Sequence, residues 1–370
     1  MFFVLCSSYH ALHIDFMFAS YLRHMSLSSP IATYLMIMSK IFAPQRYAAI
    51  PLTLIVFILS TFICTSYAED QRYTFALTGD FPYGVKPGTH NKDLDQLVAQ
   101  INAAEPRWLL HVGDIKNGGE SCGDHLFRDR EQRFSRFNTM FILSPGDNEW
   151  TDCHRKLAGN FDPLERLDAL RKRFYSPQKA KKLHKNLGLV TQANTQKKFP
   201  EFVENSSWSL NGVRFATIHI VGSHNGRYAF AKLSKKKRAP RKQEIAHRED
   251  AALAWLNYTF GQADKNQEKA IMIAIHANPG LGGQQDKSTT KAYAFFIKAL
   301  HKKIKAFKKP VVLTHGDSHY FRIDKPKLGS HRSPKNFTRV EVFGDSNNDW
   351  LEVHVDPNSH KVFSFEIHDN

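Results

Sequence analysis

Acidic and histidine side chains follow directly on five apolar, strand-like stretches of this sequence. The five stretches end in ALTGDFPYG, LHVGDIKNGG, LSPGDNEW, IAIHANPG and LTHGDSH. Any one of them could be an ordinary turn, since Gly-Asp is common and a lone histidine can be a core residue, but five in order form a pattern. The chemically capable residues that they supply are Asp80, Asp114, Asp147, His276, Asp317 and His319.

This mixture of carboxylates and imidazoles is typical of a site for divalent ions of intermediate character, such as Mn, Fe, Zn or Co. The set is too large for one tetrahedral zinc, but it fits two ions that share a carboxylate. Two ions about 3.5–4 Å apart can clamp a phosphoryl group and generate hydroxide near neutral pH. The residues therefore predict a bimetal centre with the means to clamp a phosphoryl group and to supply hydroxide.

Strand-like and helix-like stretches alternate along the chain and would position these residues. Strands are predicted at YTFALTG, RWLLHVG, FNTMFILSPG, VRFATIHIVG, KAIMIAI and PVVLTH. Helical spacing occurs in KDLDQLVAQINA, PLERLDALRKRF, REDAALAWLNYTF and AYAFFIKALHKKIKAF. The chain ends in the strand patterns TRVEVFG, DWLEVHV and KVFSFEI. Together they predict an α/β domain with a mixed sheet or a pair of sheets. Ligands bind at the carboxyl ends of such strands, where the five polar segments lie.

The order of the motifs resembles that of the calcineurin-like metallophosphoesterase superfamily. The family pattern is Asp-x-His, Gly-Asp, Gly-Asn-His-(Asp/Glu), a lone His and Gly-His-x-His, each after a strand. The resemblance covers roughly residues 72–320, and the final strands of the family would match 338–367. It implies a sandwich of two mixed β-sheets flanked by helices, a bimetal site, and hydrolysis of phosphomonoesters or phosphodiesters.

The resemblance assigns three residues to the first metal. Asp80 matches the first-motif aspartate, Asp114 the bridging aspartate, and His319 the last histidine of Gly-His-x-His. Pro82 stands at the first-motif histidine position, so this metal loses an imidazole. Tyr83 is a candidate substitute, since purple acid phosphatases of the same superfamily lack that histidine and use a tyrosine, although theirs belongs to the second motif.

The second metal is matched by Asp114 together with Asp147, His276 and Asp317. Asn148 occupies the motif-three histidine position, which in the family stabilises phosphoryl oxygens or protonates the leaving group. His315 is the predicted stand-in acid beside the site, and Asn148 is predicted to assist.

Two further departures from the family pattern affect the charge of the site, and two further histidines are considered for catalysis. Aspartates at 147 and 317 make the site more anionic, which favours harder or more highly charged ions and lowers the electrophilicity of the metal pair. His219 and His224 are weaker catalytic candidates, and a core or edge position is the simpler interpretation of His219.

The first 68 residues differ in composition from the rest. The stretch between Arg46 and Glu69 has no charge and contains the apolar run IPLTLIVFILSTFIC. Small residues before Ala68 complete the pattern of a secretory signal peptide cleaved after that residue, with residues 1–35 as an N-terminal extension. The sequence thus predicts export, either periplasmic or secreted, with no membrane span in the mature chain. The alternative is an uncleaved membrane anchor formed by residues 47–68.

Residues 69–370 are predicted to form a single catalytic domain with a basic excursion around 176–206. Once the signal is removed, two cysteines remain, Cys122 and Cys153. An exported chain meets an oxidising compartment, so this pair is predicted to form a disulfide. The bridge would tie together the loops that carry Asp114 and Asp147.

The chain is strongly basic, with a formal net charge of +16. Basic runs raise the local concentration of anions, which suits a phosphorylated small molecule or a polymeric anionic substrate. There is no motif for reading bases, and nucleic-acid processing would depend on the basic runs alone. A further alternative is a non-catalytic protein of the same fold that binds a metal or an anion, which the missing histidines at positions 82 and 148 motivate.

Overall fold

Alternating strands and helices make up the part of the chain that the computed structural model describes, residues 70–228, 235–283, 287–345 and 347–370. The helices are α1 (Lys92–Ala104), α2 (Asp124–Phe134), α3 (Pro163–Phe174), α4 (Pro177–Leu187), α5 (Gln192–Thr195), α6 (Lys235–Lys265) and α7 (Lys287–Phe307). The strands are β1 (Tyr73–Thr78), β2 (Trp108–His111), β3 (Met140–Leu143), β4 (Val190–Thr191), β5 (Ser206–Leu210), β6 (Val213–Thr217), β7 (Ala270–Ala274), β8 (Val311–His315), β9 (Arg322–Asp324), β10 (Phe337–Glu341), β11 (Trp350–Val355) and β12 (Phe363–His368). The predicted signal peptide and extension, residues 1–68, lie outside the described residues.

The described strands form two mixed sheets. One has the order β12-β11-β1-β2-β3, in which β1, β2 and β3 are parallel and the C-terminal hairpin β11–β12 is antiparallel to β1. The other has the order β4-β5-β6-β7-β8-β10-β9, with β6, β7, β8 and β10 parallel. The inner faces of the two sheets share one apolar layer, which includes Phe75, Phe215 and Val353.

Helices cover the outer face of each sheet. Leu94 and Ile101 of α1, Phe127 of α2 and Leu167 of α3 pack on the five-stranded sheet. The seven-stranded sheet is covered by apolar side chains of α6 and α7, among them Trp255. This arrangement confirms the predicted fold, a sandwich of two mixed sheets flanked by helices.

Local sequence signals explain where the helices near the site begin. The side chain of Asn91 accepts a hydrogen bond from the Leu94 N–H and caps α1. The side chain of Asp162 accepts a hydrogen bond from the Leu164 N–H and caps α3, where Pro163 occupies the first turn.

The segment 176–206, predicted as a basic excursion, contains α4, β4 and α5. Ser176 caps α4 and Gly188 ends it in a left-handed conformation. Leu187 and Leu189 enter the apolar layer between the sheets, and β4 pairs with β5 at the sheet edge. Among the described residues, no helix has the length and apolar character needed to cross a membrane.

Candidate functional site

The loops that follow β1, β2, β3, β7 and β8 meet at one end of the two sheets. Asp80 N–H donates to the carbonyl oxygen of Gly113 (2.8 Å), and Gly316 N–H donates to that of His276 (3.0 Å). His276 Nδ1 lies 2.9 Å from the carbonyl oxygen of Val112, which joins a loop of one sheet to a strand end of the other. The structure thus brings all five predicted polar segments together.

Glycine residues allow these loops to approach closely. A Cβ atom on Gly146 would overlap the Asp114 side chain, and a Cβ atom on Gly316 would overlap that of Asp80. Gly222, in the loop after β6, faces Asp147 and Asp317 with similarly little room. The glycine that precedes each aspartate in these motifs is therefore required by packing as well as by the turn.

Four of the six predicted ligands have a left-handed backbone, which is uncommon for residues other than glycine. They are Asp80 (φ 52°), Asp114 (φ 56°), Asp317 (φ 77°) and His319 (φ 55°). Such conformations are strained by about 1–2 kcal/mol per residue and concentrate at functional sites. The fold therefore stabilises a local arrangement that these residues would not adopt on their own.

Asp80, Asp114 and His319, predicted for the first metal, are joined by Tyr83. His319 Nε2 lies 3.4 Å from Asp80 Oδ1. The hydroxyl of Tyr83 donates a hydrogen bond to Asp114 Oδ2 (3.0 Å). The oxygen of this hydroxyl also lies 3.3 Å from His319 Nε2. The hydrogen bond with Asp80 raises the pKa of His319.

Asp114, Asp147 and Asp317, predicted for the second metal, surround His276. The Nε2 atom of His276 is 3.3 Å from Asp114 Oδ1, 3.1 Å from Asp147 Oδ1 and 3.9 Å from Asp317 Oδ1. Ligand atoms of Asp147, His276 and Asp317 all lie within 4.8 Å of one another, and so do those of Asp80, Asp114 and His276. His276 therefore faces both halves of the cluster.

The charge balance of this cluster fits a metal centre. Among the ion pairs of the described residues, the four aspartates pair with histidines alone. Burial, and after it the neighbouring Asp147, raises the pKa of Asp317 to about 7. Burial also raises the pKa of Asp114 well above its usual range. Crowded, buried carboxylates of this kind are what divalent cations stabilise, and oxygen and imidazole ligands suit Mn, Fe, Zn and Co.

Four residues of the cluster, Asp114, Asp147, Asp317 and His319, line a cavity of about 710 Å³, and Asp80 and His276 lie buried behind them. Asn148, Arg155, Ser223 and His224 contribute to its walls. Arg155 forms an ion pair with the buried Asp152 and supplies positive charge to this otherwise acidic cavity. Sequence patterns did not indicate Arg155, whose place at the cavity wall follows from its ion pair with Asp152.

His224 reaches the cavity from a strained turn. Ser223, His224 and Asn225 have successive positive φ angles of 50°, 56° and 58°. His224 Nε2 lies 2.9 Å from Thr289 Oγ1, and its ring packs on that of Tyr228. The GSHNG sequence at a strand end is the signal for this turn.

Of the two residues predicted to be catalytic, Asn148 lines the cavity and His315 does not. Asn148 Nδ2 donates to Asp114 Oδ2 (2.5 Å) and lies 3.3 Å from the Tyr83 hydroxyl. His315 is fully buried, with Nδ1 3.0 Å from the carbonyl oxygen of Gly316 and Nε2 3.9 Å from Glu341. Burial lowers the pKa of His315 to about 3, so its ring is neutral at neutral pH. The acid role of His315 stays a prediction, and His219 is a buried residue bonded to Glu204.

The predicted disulfide between Cys122 and Cys153 is confirmed. Both sulfur atoms are buried and lie 3.5 and 3.6 Å from the carbonyl oxygen of Asn148. The bridge therefore supports the backbone of the loop after β3 and links it to the loop after β2.

Comparison with known families gives a match over most of the described chain. The family model described as calcineurin-like phosphoesterase matches residues 73–321. No curated protein sequence matches the chain significantly.

Two solved structures are similar in fold. A dimetal phosphatase from Danio rerio is 12% identical, with 76% of this chain and 92% of that chain covered and a TM-score of 0.46. GAP50, the anchor in the inner membrane complex of Plasmodium, is 10% identical, with 80% and 89% covered and a TM-score of 0.43.

Proposed function

Because the chain belongs to the calcineurin-like phosphoesterase family, we propose that it is an exported, metal-dependent hydrolase of phosphoric esters. The observation that carries this proposal is the convergence of four aspartates, three of them buried, and two histidines, with Asp114 in contact with both halves of the cluster. The disulfide and the signal-like N-terminal sequence support export. The substrate is a phosphorylated small molecule or a phosphorylated polymer.

The residues have separable roles in this proposal. Asp80, Asp114 and His319 would hold one divalent ion, with the hydroxyl of Tyr83 beside it. The second ion would be held by Asp114 and by the three residues around it, Asp147, His276 and Asp317. When bound, such a metal pair lowers the pKa of water and stabilises charge on phosphoryl oxygens.

Side chains around the cluster orient its ligands and the substrate. Asn148 fixes one oxygen of the Asp114 carboxylate through its amide, and Gly146 N–H and Asp114 N–H both donate to Glu149 Oε1 beneath it. Arg155 and His224 provide donors at the cavity wall for phosphoryl or leaving-group oxygens.

The experiment is hydrolysis of p-nitrophenyl phosphate and its bis-ester by the chain lacking residues 1–68, supplied with Mn²⁺ or with Fe and Zn. We expect turnover that Asp114→Asn abolishes, because the carboxylate shared by both halves is lost. Asp168→Asn, an exposed position on α3, is the matched control and should retain activity. Inactivity of the unmodified chain with every metal and both ester classes would contradict hydrolysis.

A non-catalytic, metal-binding protein is the second candidate. The observations that favour it are Pro82 and Asn148 at positions where the family has histidines, and the absence of His315 from the residues that line the cavity. Elemental analysis of the purified chain, combined with the ester hydrolysis assay, separates the two candidates. Bound metal without turnover of any ester would support the binding protein, whereas bound metal with turnover supports the hydrolase.

A further inference from the structure

Two glutamates and two histidines form a second cluster on the C-terminal hairpin, away from the cavity residues. The sequence repeats Glu-x-His, in WLEVHV on β11 and in FSFEIH on β12. Alternate residues of a strand point to the same face of a sheet, so each repeat presents one carboxylate and one imidazole together.

The register of the hairpin brings the two repeats into one group. Glu352 is directly opposite Glu366, while His354 and His368 lie two pairs further along in opposite directions, opposite Ser364 and Trp350. His354 Nε2 is 3.0 Å from Glu366 Oε2, and His368 Nε2 is 3.1 Å from Glu352 Oε2 and 4.0 Å from Glu366 Oε1. Ligand atoms of Glu352, His354 and Glu366 all lie within 4.8 Å of one another.

The carboxylates of this cluster lack the partners expected in so basic a chain. Like charges directly opposite each other on neighbouring strands are destabilising. The chain has 51 lysines and arginines, yet among the ion pairs of the described residues Glu352 and Glu366 pair with histidines alone. A bound cation would offset this repulsion.

One imidazole of the cluster is held in place before any ion binds. The ring of His368 stacks on the ring of Trp350, with centroids 4.2 Å apart and an angle of 13°. Trp350 is itself buried, and its indole N–H donates to Gln100 Oε1 (2.9 Å). His368 is therefore placed to hold the Glu352 carboxylate, and a ligand that is oriented beforehand loses less entropy when it binds a metal.

We propose that Glu352, His354 and Glu366 form a binding site for one zinc-class divalent ion that fastens the edge strand β12 to β11, with His368 holding the Glu352 carboxylate. One imidazole and two carboxylates, with water in the fourth position, are a ligand set that tetrahedral zinc accepts. Zinc–ligand bonds of about 2.0–2.2 Å place tetrahedral ligand atoms about 3.3 Å apart, and the ligand atoms of Glu352, His354 and Glu366 lie within 4.8 Å of one another. Calcium would instead require six to eight oxygen ligands, which the hairpin cluster does not provide.

The test is the number of Zn²⁺ equivalents bound by the metal-stripped chain, measured by titration against a chromophoric chelator. We expect His354→Ala/His368→Ala to bind one equivalent fewer than the unmodified chain. Glu352→Gln/Glu366→Gln removes the carboxylates with little change in shape and should lose the same equivalent. His360→Ala, which removes an exposed histidine of the connecting turn, is the matched control and should bind as the unmodified chain does.

Co²⁺ gives an independent measurement on the same proteins. The visible absorption of four-coordinate Co²⁺ should be weaker in the hairpin variants, while their ester hydrolysis matches that of the control. Equal Zn²⁺ equivalents in all four proteins would overturn the proposal and leave two histidine–glutamate hydrogen-bonded pairs. The comparison does not depend on the cavity cluster, since uptake there is common to all four.

Discussion

The hydroxyl of Tyr83 contacts residues assigned to the first metal, at the place where the preceding Pro82 removes an imidazole. It donates to Asp114 and lies 3.3 Å from His319 Nε2. The Asn148 amide approaches the same hydroxyl. This oxygen is therefore either a ligand or a direct support of two ligands.

Replacing Tyr83 with phenylalanine removes that oxygen and little else. We expect Tyr83→Phe to lower the affinity of the metal-stripped chain for Mn²⁺ by about 10–100-fold, the usual cost of losing a group that orients ligands. Isothermal titration of Mn²⁺ measures the change. Tyr320→Phe, at a side chain 69% exposed, is the control. Equal Mn²⁺ affinity in the two variants would show that the Tyr83 hydroxyl has no part in metal binding.

The aspartates of the site could be found from sequence because each follows a buried strand and a glycine. Those two local features are visible without knowledge of the fold. Arg155 and His224 could not be placed in the same way. Arg155 enters the cavity through its pairing with Asp152, and His224 through three successive left-handed residues. Asp152 in turn accepts a hydrogen bond from Ser223, and His224 contacts Thr289, so both placements also depend on loops that lie far apart in the sequence.

At the scale of elements, the strand-end loops are packed so closely that some positions accept only glycine. Gly146 begins the loop after β3, and a side chain there would collide with the backbone N–H and carboxylate of Asp114. Because Asp114 is held by a strained backbone of its own, it has little freedom to move away.

Gly146→Ala should therefore both destabilise the fold and displace a ligand. We expect a loss of about 1–3 kcal/mol in the free energy of unfolding, as for overpacked interiors, together with loss of metal binding. Urea unfolding and metal analysis measure the two effects. Gly261→Ala is the control, since a Cβ there, near the C-terminal end of α6, meets nothing within 4 Å. It should stabilise the chain by about 0.5–1 kcal/mol. A free energy of unfolding that changes in the same direction in Gly146→Ala and Gly261→Ala would refute the packing argument.

A buried ionic contact ties α3 to the loop between α5 and β5 and to the end of β6. Arg171 donates two hydrogen bonds to Glu204 (3.0 and 2.6 Å), and His219 Nδ1 lies 2.7 Å from the same carboxylate. Burial alone would raise the pKa of Glu204, but Arg171 and His219 outweigh burial and lower it to about 2. The ring of His219 packs in turn against Trp150, next to the motif-three loop.

This contact predicts how stability depends on pH. The Glu204 carboxyl has an ordinary pKa of 4.5 and a folded pKa of about 2, so its stabilisation is complete above pH 4.5 and is lost as the pH falls toward 2. At neutral pH, Glu204→Gln should cost about 3–5 kcal/mol, because Arg171 is left without its charged partner. The difference from the unmodified chain should shrink below pH 4.5 in urea unfolding.

The matched control for Glu204 is Glu201→Gln. Glu201 is 39% exposed and pairs with His247 at the surface, so its loss should change the free energy of unfolding by less than about 1 kcal/mol. A difference between Glu204→Gln and the unmodified chain that stays constant from pH 7 to 2.5 would contradict the assignment.

One element that the sequence left unassigned is β5, which lies between the edge strand β4 and β6. The strand β5 reads SSWSL, and serine favours turns because its hydroxyl bonds to nearby backbone. In the fold, Ser206 bonds to Thr217 and Ser207 bonds to the carbonyl oxygen of Phe215, both across the strand pair. Those contacts form only once β6 is in place, so no local pattern could indicate them.

At the scale of the whole molecule, the pairing of β1 with the C-terminal hairpin was not visible in the sequence. The C-terminal strand β11 lies beside β1, with Tyr73 opposite Val355. The sequence indicated the strands and the sandwich, since hydrophobic periodicity and motif order carry that information. Which sheet receives the final hairpin is settled by long-range packing of the layer that contains Phe75 and Val353.

The disulfide is the covalent constraint that acts on both stability and site geometry. It closes a loop with a sequence separation of 31 residues, from beyond β2 to beyond β3. In the chain-entropy account, such a loop contributes about 3–4 kcal/mol by restricting the unfolded chain. The bridge packs on the backbone of Asn148, next to the ligand Asp147, so its effect extends to the metal cluster.

We therefore expect Cys122→Ser/Cys153→Ser to lower the free energy of urea unfolding by about 3–4 kcal/mol and to weaken metal binding. Both changes have one cause, since the loops that carry Asp114 and Asp147 lose their link. Reductant provides the control: it should destabilise the unmodified chain and leave the double variant unchanged. If the double variant matched the unmodified chain in unfolding but lost metal affinity, the bridge would act on the site alone. If the double variant matched the unmodified chain in both the free energy of unfolding and metal affinity, loop packing, with its glycines and the Glu149 contacts, would position these ligands without covalent help.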